Sequence, residues 1–338
     1  MRILITGGGG LVGRAVIDRL TALGHQTIRL LRPASEVAPG RQPAGGAADS
    51  QGTAAGDDSQ ASGAPAGRQG GEQAGHPAGP WWDIPAGRID LSQAGAIDAV
   101  IHLAGENIMG LWTAGKRERI LTSRRDGTAL LAGALARIEP RPRVLLCASA
   151  VGYYGCGIDQ PLDESAPSGS TFLSEVCRQW EAAADPARDA GIRTCHLRMG
   201  MVLSAGGGAM AAMIKPFRLH LGSVVGGNQW WSWIHLADVV GAIELLLARE
   251  DLAGPVNLAS PQPVRGIDFA RALGRAMGRR VWLRMPACIA RVLLGRMGRE
   301  VLLCSLQARP GVLERAGFEF RYAELEKALA AEADKREY

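Results

Sequence analysis

The chain lacks the features that mark membrane-spanning and metal-binding proteins. Its 338 residues contain no apolar run near the roughly 18 residues that a membrane helix requires. Its six cysteines form no Cys-x-x-Cys pair and do not cluster with histidine, which argues against a zinc site or other metal site and against a disulfide framework. Because no signal peptide opens the chain, we expect a cytoplasmic protein.

Lysine is also scarce, since only 4 of the 38 basic residues are lysines. No run of five or more Lys or Arg residues occurs, so the sequence predicts no nucleic-acid partner. A hydrophobic content of 47% and a net charge of only +5 exclude wholesale disorder. These properties fit a globular protein with no membrane partner, and no pattern defines an oligomeric state.

Glycine, in contrast, is abundant, and its 45 residues fall into two populations. Residues 34–80 contain 12 Ala, 11 Gly and 5 Pro, with Val37 as their only large aliphatic residue. Such a segment buries too little apolar area to offset its ordering entropy, which predicts a disordered insertion. The insertion carries more acids than bases, so the rest of the chain is more basic than the whole, which suits an anionic ligand.

Strand and helix patterns alternate on either side of this insertion. Strands are predicted at residues 2–5, 27–31, 99–103, 144–149, 194–197 and 256–258. Helices are predicted at residues 11–23, 116–138, 173–190, 236–247 and 267–277, and residues 286–338 are expected to be mostly helical. Strands that alternate with helices of this length indicate βαβ units and a parallel sheet.

The other glycine population forms a turn between the first strand and the first helix. Gly7, Gly10 and Gly13 fit the spacing Gly-x-x-Gly-x-x-Gly. A backbone that turns tightly and approaches a pyrophosphate closely needs residues without a Cβ. The helix then directs its first amides, at Leu11 and Val12, toward the phosphates. The turn therefore predicts a dinucleotide-binding site.

The end of the second strand distinguishes the two nicotinamide cofactors. An acid at this place would hold the ribose 2′-hydroxyl of NAD, and none is present. Arg32 can instead pair with a 2′-phosphate, so NADP is favoured over NAD. Arg29 is a second candidate for that contact.

These motifs together resemble the extended short-chain dehydrogenase/reductase superfamily, in its NAD(P)-dependent epimerase/dehydratase branch. Residues 6–13 look like its glycine signature, and 233–238 like its Phe-Ile-His-Val-x-Asp segment. Residues 100–105 resemble its fourth strand, which implies that Leu103, Ala104 and Gly105 line the cofactor.

A narrower resemblance rests on Gly-Glu-Asn-Ile at 105–108, Gly-Tyr-Tyr-Gly at 152–155 and the helix at 175–181. It points to a small epimerase-like family whose members end in a short C-terminal domain of unknown function. The implied fold is α/β, a Rossmann-type doubly wound parallel sheet with a small C-terminal substrate-side lobe. Residues 1–260 would form the NAD(P)-binding domain and 261–338 a mostly helical C-terminal domain that completes the substrate side.

The superfamily's catalytic pair is missing. It consists of a Tyr and a Lys four residues later, and the Lys lowers the pKa of the phenol so that it acts near neutrality. No Tyr-x-x-x-Lys occurs in this chain, and by spacing the two positions fall near Phe172 and Val176. An ordinary tyrosine, with a pKa near ~10, is a poor base at neutral pH.

Four residues are candidates to replace the pair. Ser149 ends the predicted strand where the superfamily has a Ser or Thr, although a one-residue shift would put Ala150 there. Tyr153 and Tyr154 follow, and either one can donate a proton. Arg124 lies where the superfamily tends to have a helix asparagine, and it can polarise a carbonyl oxygen.

Several other polar residues have both a functional and a structural interpretation. Glu175 and Glu181 lie about 240° apart around the predicted helix, so both cannot face one site. His102 is expected to be a core histidine and Lys116 a surface residue, while Lys215 remains a minor candidate. The three tryptophans at 230, 231 and 233, with His235, form either a pocket wall or a core cluster. Asp238 is expected to cap the helix that it begins.

Two functions fit these residues. One is an NADP-dependent oxidoreductase or epimerase that acts on a small carbonyl or hydroxyl substrate, which the polar residues after the strand at 144–149 favour. The other is an NADP-binding regulatory or sensor protein without catalysis, which the missing Tyr-x-x-x-Lys favours.

Overall fold

The computed structural model describes residues 1–33, 77–218, 223–281 and 283–334, so most of the predicted insertion lies outside the described residues. The described strands are β1 (Arg2–Thr6), β2 (Gln26–Arg29), β3 (Trp81–Asp83), β4 (Arg88–Asp90), β5 (Ala99–His102), β6 (Val144–Ala150), β7 (Pro161–Leu162), β8 (Arg193–Met199), β9 (Met201–Leu203), β10 (Ser223–Val225), β11 (Trp230–Trp231), β12 (Trp233–His235), β13 (Gly254–Leu258), β14 (Val264–Arg265), β15 (Leu283–Met285) and β16 (Gln307–Ala308). The α-helices are α1 (Leu11–Ala22), α2 (Ala114–Leu135), α3 (Phe172–Ala182), α4 (Asp185–Asp189), α5 (Gly208–Arg218), α6 (Leu236–Ala248), α7 (Gly266–Ala276), α8 (Ala287–Met297), α9 (Gly311–Arg315) and α10 (Leu325–Asp334). None of these described helices combines the length and the apolar character needed to cross a membrane.

A six-stranded parallel sheet, in the order β13-β8-β6-β5-β1-β2, forms the centre of the molecule. Its middle strands are rich in apolar residues because both faces are covered, and Ile3, Leu4 and Ile5 of β1 are completely buried. Helices α1 and α6 pack on one face, and α2, α3 and α4 pack on the other. The predicted doubly wound α/β fold is thus confirmed.

The predicted helix at 173–190 is wrong as a single helix. The structure has α3 and α4 there, with Ala183 and Ala184 between them. Pro186 has no N–H with which to continue the α3 hydrogen bonds, and its ring would collide with the carbonyl four residues earlier. The chain therefore starts a new short helix at Asp185.

The substrate-side lobe contains more strand pairing than the helical patterns predict. Strand β15 pairs with β10, and β16 pairs with β7, so the C-terminal segment is joined to earlier parts of the chain. A separate apolar core joins α5 to α7 and α10. Strands of two or three residues carry too little periodicity to be recognised in a sequence.

The expectation of no disulfide is also wrong, because Cys156 and Cys304 are bonded to each other. They lie 148 residues apart, so their pairing depends on tertiary structure and not on local spacing. The bond joins the segment after the two tyrosines to the C-terminal part of the chain. The remaining four cysteines are free thiols, of which Cys288 is exposed.

Removal of this disulfide is expected to lower stability. A crosslink that closes a loop of this length restricts the unfolded chain by about 5 kcal/mol in the chain-entropy model. Cys304→Ser should therefore lower the thermal unfolding midpoint by several degrees, as measured by calorimetry. Cys288→Ser is the matched control and should leave the midpoint unchanged. A midpoint that responds neither to Cys304→Ser nor to a reducing agent would contradict the bond.

Candidate functional site

The glycine turn meets the end of β5 more closely than any residue with a Cβ could. Gly7 has a φ of +69°, and a Cβ on it would lie 2.7 Å from the carbonyl carbon and oxygen of Leu103. A Cβ on Gly13 would lie 2.3 Å from the Gly7 carbonyl oxygen. The hydroxyl of Thr6 accepts hydrogen bonds from the amides of Leu103 and Ala104, at 3.1 and 3.2 Å. The predicted glycines and the β5 end thus form one closely packed backbone cradle.

The N-terminus of α1 opens onto this cradle. Gly10 is the N-cap, it supplies no side-chain cap, and the first turn holds no acidic residue. The amides of Leu11 and Val12 therefore lack a side-chain acceptor, and the positive end of the helix dipole is not neutralised locally. Arg14 bonds the Gly9 carbonyl at 2.6 Å and braces the turn. This arrangement fits a pyrophosphate.

Two arginines lie at and just after the end of β2. A Cβ on Gly8 would lie 3.5 Å from the Cγ and Cδ atoms of Arg29, so the stem of Arg29 runs along the turn. Arg32 is exposed just beyond the strand. Among the described residues neither arginine has an acidic partner, so both guanidinium groups are available to a phosphate.

Arg124 lies behind Gly105 at the third side of the site. A Cβ on Gly105 would be 3.2 Å from the Arg124 guanidinium carbon, which stacks 4.9 Å from the Trp180 ring centre. One nitrogen donates to the Ile120 carbonyl at 3.1 Å, and none forms an ion pair within the described chain. Burial lowers the pKa of Arg124 from its usual value. A guanidinium group nevertheless keeps its proton in proteins. Arg124 therefore supplies a positive charge beside the predicted cofactor-binding residue Gly105.

His102 is a core residue, as expected. It bridges Thr6 and Thr128 through its two ring nitrogens, at 2.7 and 2.9 Å. Burial, together with the charge of Arg124, lowers its pKa to about 4, so the ring is neutral at physiological pH. It fixes Thr6 and through Thr6 the cradle, but it takes no part in proton transfer.

The two tyrosines occupy different environments after β6, in a short helix at Val151–Tyr154. Tyr154 is completely buried, and its hydroxyl donates to Asn257 at 2.7 Å and accepts from Arg198 at 3.0 Å. Burial raises the pKa of Tyr154 to about 12. Tyr153 is half-buried, and its hydroxyl makes no hydrogen bond within the described part of the chain. Its proton is therefore available to a ligand, whereas that of Tyr154 is held in the protein.

Ser149 points into the protein toward Glu181, to which its hydroxyl donates at 2.7 Å, and it is 2% exposed. The same carboxylate forms a two-pronged ion pair with Arg198, at 2.9 and 2.8 Å. Burial lowers the pKa of Arg198, but its bonds and charge interaction with Glu181 outweigh this and raise it above the usual value. The Arg198 guanidinium of this pair therefore keeps its charge.

Arg198 is the functional residue that the sequence reasoning missed. Its guanidinium lies 3.5 Å from the centre of the Tyr153 ring, so it forms the surface on which that ring rests. The sequence does contain a signal, since a charged residue within a buried strand of a parallel sheet needs a partner. The strand predicted at residues 194–197 is shorter than β8 and does not include Arg198. Tyr153, Arg198 and Glu181 form the site's polar network, which we call the arginine network.

The remaining candidates have structural roles. Glu175 lies on the exposed face with Arg178 and Gln179, Lys116 pairs with Glu106 at 2.6 Å, and Lys215 is exposed. At the positions expected for the catalytic pair, Phe172 packs against Trp112 at 5.3 Å, and Val176 is buried.

The histidine and tryptophan segment is mostly core. His235 bonds Glu332 at 2.9 Å and accepts from the Ala237 amide, and Trp233 is completely buried. Asp238 accepts from the amides of Arg321 and Tyr322, so the prediction that it caps its own helix is wrong. The cap is His235, because a ring nitrogen can replace a Ser or Asp oxygen at this position.

Two family profiles match the chain. Residues 3–259 match the NAD dependent epimerase/dehydratase family, and residues 285–332 match a domain of unknown function, DUF1731. An epimerase family protein from Mycobacterium bovis, Mb2239, is 38% identical over 73% of this chain and 82% of its own length. The human epimerase family protein SDR39U1 is 30% identical over 97% of this chain and 98% of its own.

A crystal structure extends this similarity to three dimensions. Human SDR39U1, isoform 2, crystallised with NADPH, superposes with a TM-score of 0.78 and 28% sequence identity, and the match covers 99% of both chains.

Proposed function

The chain belongs to the NAD-dependent epimerase/dehydratase family, and from this we propose that it is an NADPH-dependent oxidoreductase or epimerase acting on a small carbonyl or hydroxyl substrate. One observation carries the proposal: the Tyr153 hydroxyl has no hydrogen-bond partner among the described residues. Tyr153 follows β6, and the cradle is built from the segments that follow β1 and β5. These three segments therefore lie at the carboxyl edge of the sheet, where such folds bind ligands.

We assign the cofactor's parts to the residues that suit them. The glycine cradle and the free amides of Leu11 and Val12 hold the pyrophosphate, and the backbone at Leu103, Ala104 and Gly105 forms the adjoining wall. Arg32, with Arg29 beside the turn, holds the 2′-phosphate of NADPH. The NADPH in the crystal structure of the human relative supports this choice.

The protein's own groups then do the acid–base work. Bound NADPH supplies a hydride from its nicotinamide ring. The Tyr153 hydroxyl donates a proton to the substrate oxygen during reduction and takes it back during oxidation. Arg124 polarises that oxygen in place of the absent lysine. The hydroxyl of Ser149 is already bonded to Glu181 and that of Tyr154 to Asn257, so neither is available to the substrate. Both residues contribute indirectly, by holding the arginine network in place.

Loss of the Arg32 guanidinium should change cofactor preference. Arg32→Ala removes a charge-assisted contact to the 2′-phosphate, so we expect NADPH to bind about 10- to 100-fold more weakly. NADH lacks this phosphate, and its affinity should hardly change. Fluorescence titration of both cofactors measures the two dissociation constants. Equal losses for NADPH and NADH would show that Arg32 does not hold the 2′-phosphate.

The catalytic assignment is tested by Tyr153→Phe. Purified protein with NADPH and a panel of aldehydes, ketones, quinones, small keto acids and phosphorylated ketones is followed through loss of the reduced-cofactor absorbance. Tyr153→Phe should reduce turnover by about 100-fold or more while NADPH affinity stays the same, because only the proton donor is removed. Tyr322→Phe, in which a tyrosine next to His235 loses its hydroxyl, is the control and should keep full turnover. Wild-type activity in Tyr153→Phe would refute the assignment.

A second function is favoured by one specific observation. Phe172 and Val176 occupy the places of the catalytic pair, and neither can move a proton. A protein that binds NADPH and changes its interactions without turnover would need no such pair. Tight NADPH binding with no consumption across the whole panel would support this sensor function.

A further inference from the structure

A pocket of about 730 Å³ lies beyond the two tyrosines, and its lining includes no residue of the glycine cradle or of the arginine network. Its walls come from the segment after Tyr154, from the loop that precedes β11 and from the start of α8. The lining residues of these three walls include Gly157, Asn228 and Pro286, and Ser305 adds to the lining from the segment before β16. Its volume falls within the range of small-molecule sites.

Tyr153, Ile158 and Cys304 pack against one apolar cluster, and the pocket-lining residues Gly157 and Ser305 adjoin Ile158 and Cys304 in the chain. The pocket therefore lies in the same part of the molecule as the proposed active site.

Two arginines give this pocket a positive character. Arg265 lies 4.0 Å from the centre of the Trp230 ring and donates to the Asn228 carbonyl, which fixes its guanidinium at the pocket wall. Arg291, one turn into α8, is exposed. Among the described residues neither forms an ion pair with a carboxylate. Asp159 is the single acidic residue of the lining, so the positive charges outnumber the negative.

The start of α8 adds to the positive potential. Its N-cap is Pro286, which provides no side-chain acceptor, and its first turn contains no acid. Arg291 lies one turn along the same helix from Ala287, at the pocket wall. An anion in the pocket would therefore meet two guanidinium groups and an uncapped helix N-terminus together.

The disulfide forms one rigid side of the pocket. Cys156 immediately precedes Gly157, and Cys304 lies between Leu303 and Ser305. Gly157, Leu303 and Ser305 line the pocket, so the disulfide lies directly behind this wall. The Gly157 amide also donates to the Ser305 carbonyl at 3.0 Å. A site with a crosslinked wall loses little conformational entropy when a ligand binds.

We propose that this pocket binds an anionic group of the substrate, a carboxylate or a phosphate, through Arg265 and Arg291. The inference rests on the proposed function, because it identifies the substrate class of the same active site. The carbonyl or hydroxyl that reacts at Tyr153 and the anionic group in the pocket belong to one molecule. A neutral aldehyde or quinone is then a poor substrate, and a small keto acid or a phosphorylated ketone is a good one.

The test uses NADPH-loaded full-length protein and isothermal titration calorimetry. The probes are inorganic phosphate, 2-oxoglutarate and the uncharged dimethyl ester of 2-oxoglutarate. We expect phosphate or 2-oxoglutarate to bind, and whichever binds identifies the phosphate or carboxylate class. Arg265→Gln and Arg291→Gln should each weaken that binding by about tenfold or more. Arg299→Gln removes an exposed arginine that does not line the pocket and should change nothing.

Three results would overturn the inference: no binding of either anion, equal binding of the ester, or full affinity in Arg291→Gln. Since Arg291 is exposed and unpaired within the described chain, its substitution should not disturb folding. The proposed function fails separately, through absent NADPH binding or absent turnover. If anion binding depended on Arg291 but the protein never consumed NADPH, the anion-binding proposal would stand and the proposed enzymatic function would be refuted.

Discussion

Gly7→Ala is expected to weaken NADPH binding by roughly a hundredfold or more, which corresponds to about 2.7 kcal/mol. The φ of +69° at Gly7 costs an L-residue about 1–2 kcal/mol. The new Cβ would also lie 2.7 Å from the Leu103 backbone, so the end of β5 must shift away from the turn. Both effects displace the cradle that would hold the pyrophosphate.

The matched control lies two residues further along the same turn. A Cβ on Gly9 would meet nothing within 4 Å, and its φ is not positive, so Gly9→Ala should bind NADPH nearly as well as the wild type. Fluorescence titration measures both affinities, and circular dichroism checks that both variants remain folded. If folded Gly7→Ala bound NADPH with unchanged affinity, the cradle would not be the cofactor site.

Arg198→Met should destabilise the folded protein by about 3–5 kcal/mol, because it leaves the Glu181 carboxylate buried without its partner. Turnover should fall as well, since the Tyr153 ring loses the guanidinium on which it rests. Arg178→Met breaks an exposed ion pair with Glu175 on the same helix as Glu181, so its cost should stay below about 1 kcal/mol.

A double variant separates the ion pair from the rest of the core. Arg198→Met combined with Glu181→Leu removes both charges, and apolar replacement of a buried pair is often neutral. We therefore expect the double variant to recover most of the lost stability in urea unfolding, but not the turnover. Equal destabilisation by Arg178→Met and Arg198→Met would refute the account of the arginine network.

The fold follows from local patterns because its central elements are long and strongly periodic. The apolar centre of β1 at residues 3–5 and the glycine turn after it already indicate a buried parallel strand that leads into a helix. Pro186 indicates a helix break in the sequence, but the apolar pattern continues across it. The pattern alone therefore predicts one helix where the structure has α3 and α4.

The site is less predictable because its parts meet only in the tertiary structure. Ser149 and Glu181 are 32 residues apart, and the contact that engages the serine hydroxyl depends on how α3 packs against β6. The two tyrosines are neighbours in sequence, and only burial distinguishes the free hydroxyl of Tyr153 from the bonded one of Tyr154. The disulfide is the extreme case, since no local pattern relates Cys156 to Cys304.

The central claim is that this protein transfers hydride from NADPH with Tyr153 as the proton donor. The most direct measurement uses NADPH that carries two deuterium atoms at the nicotinamide C4, with the wild type and Tyr153→Phe under single-turnover conditions. The acceptors are the aldehydes, ketones, keto acids and phosphorylated ketones of the panel. Mass spectrometry should find one deuterium in the alcohol formed by the wild type and almost none with Tyr153→Phe. Tight NADPH binding by the wild type with no deuterium in any product would contradict the claim.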